Sequence, residues 1–150
     1  MNLKIPPTII LLLFGIFMYL LDSLLPFGEF DFFGRKLLIR ALCIGAIFLM
    51  GMSLTKFFRA RTTMDPSLRT ESSALVTTGI YAYSRNPMYL AMLLLLLAWG
   101  LWLGNAFNTL LAALFVAYMN RFQIKQEETA LLRLFGQEYQ KYCTQVRRWF

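Results

Sequence analysis

The sequence contains no histidine among its 150 residues. This absence excludes imidazole acid–base chemistry, histidine metal ligands and Ser-His-Asp triads. There are only two cysteines, and Cys43 lies in an apolar run whereas Cys143 lies in a charged C-terminal stretch. Their separation indicates neither a disulfide framework nor a zinc site, so no metal site is expected.

Short motifs of soluble enzymes are also missing. The chain has no G-x-G-x-x-G sequence, no phosphate-binding P-loop, no H-E-x-x-H and no G-x-S-x-G. Soluble dinucleotide-binding and nucleotide-binding folds, zinc proteases and serine hydrolases are therefore not indicated.

Charge is scarce, because only 15% of the residues are charged whereas 58% are hydrophobic. Soluble domains carry about a quarter charged residues, so this composition predicts an integral membrane protein, with residues 1–150 as a single domain. The net charge of +7 is explained by lysines and arginines in cytoplasmic loops next to membrane lipid. We therefore expect no nucleic-acid partner.

Four apolar segments predict an all-α fold with about four transmembrane helices, over residues 8–25, 37–54, 87–103 and 107–121. The first two have the length that spans a bilayer. The last two are shorter arms joined by a tight turn at Gly104-Asn105, and the fourth is expected to continue beyond the membrane. Small residues in the second segment permit close helix packing, which leaves a homodimer open.

The remaining segments are polar and basic. In the segment 55–78 the pair Asp65-Pro66 is expected to break any helix. From Glu128 onward, apolar residues recur at steps of three and four, which predicts a C-terminal cytoplasmic amphipathic helix. Twelve of the fifteen lysines and arginines lie at the N-terminus, in or beside the segment 55–87, or after residue 120. This distribution predicts an inner or plasma membrane protein with both termini in the cytoplasm.

Two stretches, which this topology places on the same membrane face, carry residues suited to chemistry. Residues 79–89 read G-I-Y-A-Y-S-R-N-P-M-Y, and residues 127–146 follow the pattern E-E-x-x-L-x-x-x-F-G-x-x-Y-x-x-Y-x-x-x-V. In this order, on either side of a helical hairpin, they resemble the isoprenylcysteine carboxyl methyltransferase and phospholipid methyltransferase superfamily of integral membrane enzymes. The resemblance covers roughly residues 75–150. It departs from the common pattern at Asn86 (usually His), Ala91 (usually Gly) and Arg147 (often Pro).

The resemblance implies methyl transfer from S-adenosylmethionine to a lipidic or hydrophobic acceptor. Arg85 and Glu128 are the expected catalytic residues. The expected cofactor-binding residues are Gly79, Tyr81, Arg85, Asn86, Pro87, Tyr89, Glu127, Glu128 and Tyr139. Their chemistry fits, because arginine pairs with a carboxylate, glutamates pair with an ammonium or ribose hydroxyls, and tyrosine rings stack on adenine or contact a sulfonium.

Other interpretations remain open at this stage. Since neighbouring helical residues point about 100° apart, one of the two glutamates is expected to face the cavity centre, and we favour Glu128. An NADPH-dependent membrane reductase would use basic residues near the C-terminus for the nucleotide phosphate: Arg133, Lys141, Arg147 and Arg148. A non-enzymatic protein with a basic lipid-binding helix is a third possibility. The sequence leaves the acceptor open among a carboxylate, an amine and a thiol.

Overall fold

The computed structural model describes residues 5–25, 28–59 and 75–150. Within these ranges the chain is helical and contains no β-strand, which confirms the all-α class. The helices are α1 (Pro7–Leu24), α2 (Arg35–Arg59), α3 (Pro87–Leu103), α4 (Asn108–Tyr118), α5 (Lys125–Phe135) and α6 (Gln137–Gln145). A π-helical turn, Met119–Ile124, joins α4 to α5. The helix break predicted at Asp65-Pro66 lies outside the described residues.

Two of the helices are long and apolar enough to cross a membrane. They are α1, with 18 residues, and the first 22 residues of α2. α3 is equally apolar but has 17 residues. The side chains of α1 and α2 are largely exposed, as expected for helices that face lipid hydrocarbon.

α3 is the central helix of the bundle. α2 packs against it most extensively, while α1 and α4 pack on it and on each other. The buried core includes Met18, Met92, Leu96, Phe115 and Met119. Because α3 begins at Pro87, within the stretch 79–89, this packing fixes the position of that stretch.

The loops at the far end of the bundle are joined to each other. The Phe30 amide donates a hydrogen bond to the Gly104 carbonyl (2.8 Å), and the Ala106 amide donates to the Gly28 carbonyl (3.0 Å). The Asn105 side chain also donates to the Leu25 carbonyl (2.9 Å). The α1–α2 connection and the tight turn predicted at Gly104-Asn105 therefore lie at the same end, opposite the start of α3.

The C-terminal half confirms part of the predicted helix pattern. α3 begins at Pro87 and ends at Leu103 as predicted, and α4 continues without a break through the π-helical turn into α5. The C-terminal stretch, however, is two helices rather than one. Gly136 has φ 51° and ψ −121°, a conformation that strongly favours glycine, so it ends α5 and redirects the chain into α6.

Candidate active site

A cavity of about 420 Å³ opens at the end of the bundle where α3 begins. Eight of the nine residues predicted to bind a cofactor line it: Tyr81, Arg85, Asn86, Pro87, Tyr89, Glu127, Glu128 and Tyr139. The structure thus brings the stretches 79–89 and 127–146 together around this cavity. Their roles toward a ligand remain predictions.

The stretch 79–89 begins with a turn that precedes α3. Residues Gly79–Ala82 form a single 3₁₀ turn, in which Tyr81 is buried. Pro87 occupies the first turn of α3, where its missing amide hydrogen is not needed. The Tyr142 hydroxyl donates to the Tyr81 carbonyl (2.6 Å) and so ties α6 to this turn.

Arg85 points its guanidinium at groups from the other stretch. Its Nη1 lies 3.1 Å from Glu128 Oε1 and donates to Cys143 Sγ at 2.7 Å. The side chain is only 14% exposed, and its Nε is buried with no hydrogen-bond partner among the described residues. Because buried donors are normally satisfied, this nitrogen is a candidate contact for an anionic ligand group.

Glu128 lies between two arginines. In addition to Arg85, it accepts two bonds from Arg148, from Nε to Oε1 (2.9 Å) and from Nη2 to Oε2 (2.6 Å). The bond with Glu128 raises the pKa of Arg148 above its ordinary value, although burial acts in the opposite direction. Sequence reasoning assigned Arg148 only to an alternative nucleotide site. No spacing rule connects it with Glu128, because the two residues meet through the fold.

Glu127 faces a different wall of the same cavity. Its Oε1 accepts a hydrogen bond from the Tyr89 hydroxyl at 2.5 Å. Both glutamates therefore line the cavity, and the expectation that Glu128 faces its centre stays a prediction. Glu127 meets α3 through Tyr89, whereas Glu128 meets Arg85 and Arg148.

Two tyrosines of α6 complete the polar wall. The rings of Tyr139 and Tyr142 lie 6.2 Å apart between centroids. Burial raises the pKa of Tyr142 to about 12 and also raises the pKa of Tyr139, which is hydrogen-bonded to Cys143. Both phenols therefore remain neutral at physiological pH and keep their hydroxyl hydrogens as donors.

Gly79 is the one predicted cofactor residue that does not line the cavity. It has φ +68°, and a Cβ atom at this position would lie 2.6 Å from Lys56 Cε. The Lys56 ammonium also donates to the Thr78 hydroxyl (3.3 Å). In the structure Gly79 thus allows the turn to approach α2, and its contact with a cofactor remains a prediction.

Other lining residues were not among the predicted site residues, although Leu131 and Tyr142 belong to the C-terminal motif. These other lining residues are Ile5, Pro6, Pro7, Thr8, Leu75, Val76, Met88, Met92, Gln123, Leu131 and Tyr142. The Gln123 amide donates to the Ile5 carbonyl (2.6 Å) and holds the N-terminal residues against the π-helical turn. π-Helical turns occur frequently at functional sites, but neither this turn nor the burial of Gln123 could be read from the sequence.

Comparisons with known proteins identify the family of this chain. The phospholipid methyltransferase family matches residues 35–138. A protein-S-isoprenylcysteine O-methyltransferase of Schizosaccharomyces pombe is 32% identical over 105 residues, which cover 70% of this chain and 44% of that enzyme. The Mus musculus enzyme with the same name is 31% identical over 80 residues, which cover 53% of this chain and 28% of that enzyme.

The chain thus spans less than half the length of these two named relatives. An uncharacterized protein of Haemophilus influenzae is 53% identical over 62 residues, which cover 41% of this chain and 98% of that protein. No solved structure matches the chain significantly. Because the family match extends over more than half of the sequence, the chain belongs to the phospholipid methyltransferase family.

Proposed function

We propose that this protein transfers a methyl group from S-adenosylmethionine to a lipidic or hydrophobic acceptor at the membrane interface. The observation that carries this proposal is the cavity in which Arg85, Glu127 and Glu128 meet a wall of tyrosines beside apolar helices. When bound, S-adenosylmethionine supplies a methyl group that is activated by the positive charge on its sulfur. Family membership and the names of the relatives support the proposal.

The residues of the cavity fit the chemical groups of this cofactor. Arg85 suits a carboxylate, and its unpartnered Nε offers a donor that such a group would satisfy. The two glutamates suit an ammonium and ribose hydroxyls, while Tyr81, Tyr89, Tyr139 and Tyr142 offer rings for an adenine or a cation. The volume lies within the range of about 300–1,000 Å³ that is typical of ligand cavities.

The protein's contribution to the reaction is mainly positioning. Displacement at an activated methyl group requires the acceptor atom to lie in line with the bond that breaks, and holding both reactants in this geometry removes much of the entropic barrier. Arg85 and the glutamates would orient charged groups, and the buried tyrosines would exclude water. A carboxylate or thiolate acceptor needs no base, whereas an amine acceptor has to lose a proton to a base such as a carboxylate.

A second, apolar groove supports a hydrophobic acceptor. This α1–α3 groove has a volume of about 400 Å³ and is lined by Leu11, Leu12, Gly15, Ile16, Tyr19, Leu95, Leu96 and Trp99. The cavity lining includes Thr8 on α1 and Met92 on α3, and on each of these helices the groove begins one turn later. A hydrocarbon chain in the groove would therefore lie close to the charged cavity.

We also propose four membrane crossings, by α1, α2, α3 and the helix that begins with α4, with both termini in the cytoplasm of an inner or plasma membrane. The joined loops at one end and the cavity at the other support this arrangement. Among the described charges, Arg121, Lys125, Arg133, Lys141, Arg147 and Arg148 lie at or beyond the end of the bundle that carries the cavity, as the positive-inside rule requires of the cytoplasmic side. Contact with membrane lipid and a possible homodimer remain predictions.

The proposal is tested by following a radioactive methyl group. Membranes containing the protein are incubated with S-[methyl-³H]adenosylmethionine, and label in the organic extract is compared with that from membranes lacking it. We expect protein-dependent labelling, at least about tenfold lower with Arg85→Ala, since a charge-assisted contact contributes roughly 1.5–3 kcal/mol. Arg133→Ala is the matched control, because Arg133 is exposed and outside the cavity. Equal labelling with and without the protein would contradict the proposal.

A further inference from the structure

The C-terminal segment, residues 146–150, packs against residues that line the cavity. The Arg85 amide donates to the Arg147 carbonyl (3.0 Å), and the Asn86 side chain donates to the Arg148 carbonyl (2.9 Å). The Trp149 indole donates to the Asn120 side chain (3.0 Å). Three consecutive residues are thus each bonded to a different group around the site, and this places the Arg148 side chain over Glu128.

The charges around Glu128 are unbalanced. Its carboxylate contacts the guanidiniums of both Arg85 and Arg148, so two positive charges surround one negative charge. A carboxylate has about four lone-pair positions; two of them accept hydrogen bonds from Arg148, and the Arg85 guanidinium lies 3.1 Å from Oε1. A ligand ammonium that approached this carboxylate would meet two cations and little remaining acceptor capacity.

The two arginines differ in how easily a ligand could displace them from the Glu128 carboxylate. The Arg85 side chain is 14% exposed, whereas that of Arg148 is 37% exposed. An arginine that reaches water can exchange a salt bridge for hydration, but a buried one loses its partner without replacement. Arg148 is therefore the cation that a ligand can displace, while Arg85 remains in place.

From these contacts we infer that Arg148 occupies the position at Glu128 that a ligand ammonium takes, and that it sets the affinity of the site for ligands carrying that group. On binding, the ammonium replaces the Arg148 guanidinium at the carboxylate, and the C-terminal segment shifts away from the cavity. Arg148 is a positioning and specificity-determining residue rather than a catalytic one. The inference rests on the proposed function and adds the chemical group that the site selects.

Removal of Arg148 should strengthen ligand binding, because the ammonium then has no competitor. The bond to be broken is bidentate but partly exposed, so we expect an increase of about three- to tenfold in affinity. The effect should appear only for ligands with the ammonium. A general loosening of the C-terminal segment would instead change the binding of every ligand.

The test uses the full-length purified protein and two probes. One is S-adenosylhomocysteine, and the other is its deaminated analogue, which keeps the carboxylate and lacks the ammonium. Calorimetric dissociation constants are measured for the wild type, for Arg148→Ala and for Arg147→Ala. The last is the matched control, because Arg147 is the neighbouring arginine and its side chain is exposed, whereas that of Arg148 pairs with Glu128.

We expect Arg148→Ala to bind S-adenosylhomocysteine three- to tenfold more tightly and to bind the deaminated analogue as the wild type does. Arg147→Ala should match the wild type with both probes. Unchanged or weaker binding of S-adenosylhomocysteine by Arg148→Ala, or an equal gain for both probes, would overturn the inference while leaving the proposed function intact. Absence of S-adenosylhomocysteine binding by wild type and variants alike would overturn the proposed function, and the inference with it.

Tryptophan fluorescence gives an independent readout of the displacement. The difference between the wild type and Trp149→Phe isolates the emission of Trp149, whose indole is bonded to Asn120. We expect S-adenosylhomocysteine to shift this emission and the deaminated analogue to leave it unchanged. An identical response to both probes would contradict displacement by the ammonium.

Discussion

Glu128→Gln changes one oxygen of the central carboxylate into an amide nitrogen and keeps the size of the side chain. The carboxylate accepts one contact from Arg85 at 3.1 Å and two from Arg148 at 2.9 and 2.6 Å. The amide removes the negative charge and turns one acceptor into a donor that faces a guanidinium. Hydrogen bonds to charged groups contribute about 1.5–3 kcal/mol each, so losing the contact with a ligand ammonium should weaken binding by at least about tenfold.

The measurement is the calorimetric dissociation constant of S-adenosylhomocysteine for the wild type and Glu128→Gln in the same detergent. Glu138→Gln is the matched control, because Glu138 is an exposed glutamate of α6 outside the cavity lining. Melting temperatures measured in parallel separate a lost ligand contact from a lost fold. A Glu128→Gln protein that is folded and binds within twofold of the wild type would refute the assignment of Glu128 to the ammonium.

Three further predictions concern other parts of the molecule. The pKa of Tyr142 is raised from 10.0 to about 12, so the folded state holds the phenol proton to a higher pH than the unfolded state. The stability that this group contributes should therefore be present below pH 10 and decline toward pH 12. In Tyr142→Phe the melting temperature should fall less steeply over this range than in the wild type, and an identical slope would contradict the assignment. Gly79→Ala should lower the melting temperature, because Gly79 has a positive φ that alanine rarely adopts and a Cβ would displace the end of the Lys56 side chain. The affinity for S-adenosylhomocysteine should change less than twofold, and a larger loss would favour the predicted cofactor contact. Gly15→Leu places a side chain in the α1–α3 groove, at a position where a Cβ atom would meet nothing within 4 Å, so it should reduce methyl transfer into the lipid extract but leave cofactor affinity unchanged. Gly51→Leu, at an open position on α2, is its control, and equal transfer by the two variants would exclude the groove as the acceptor site.

The parts of the fold that follow from local rules were predictable. Pro87 and Gly104 mark the two ends of α3, since proline favours the first helical turn and glycine the residue after the last one. The apolar runs predicted the helices of the bundle, because their length and composition suit helices in a membrane. The division at Gly136 was not predicted, because the apolar spacing of three and four continues through it and conceals the change in direction.

The part of the candidate site that is formed by the two sequence motifs was predictable. Residues 79–89 and 127–142 carry polar and aromatic groups at helix ends, and the order of the helices brings these ends together. Arg148 was not recognised as a partner of Glu128, because it lies beyond the end of α6, where no helical periodicity indicates which way a side chain points. Its position depends on hydrogen bonds to Asn86 and Asn120, which arise only in the folded chain.

The most direct test of the central claim is calorimetric titration of the purified protein with S-adenosylhomocysteine and, in parallel, with NADPH. The cavity combines a partly unsatisfied Arg85, two glutamates and a wall of tyrosines, and this set fits an amino-acid nucleoside. The account therefore predicts binding of S-adenosylhomocysteine in the micromolar range and no measurable binding of NADPH. Binding of NADPH without S-adenosylhomocysteine would contradict the account and favour a membrane reductase.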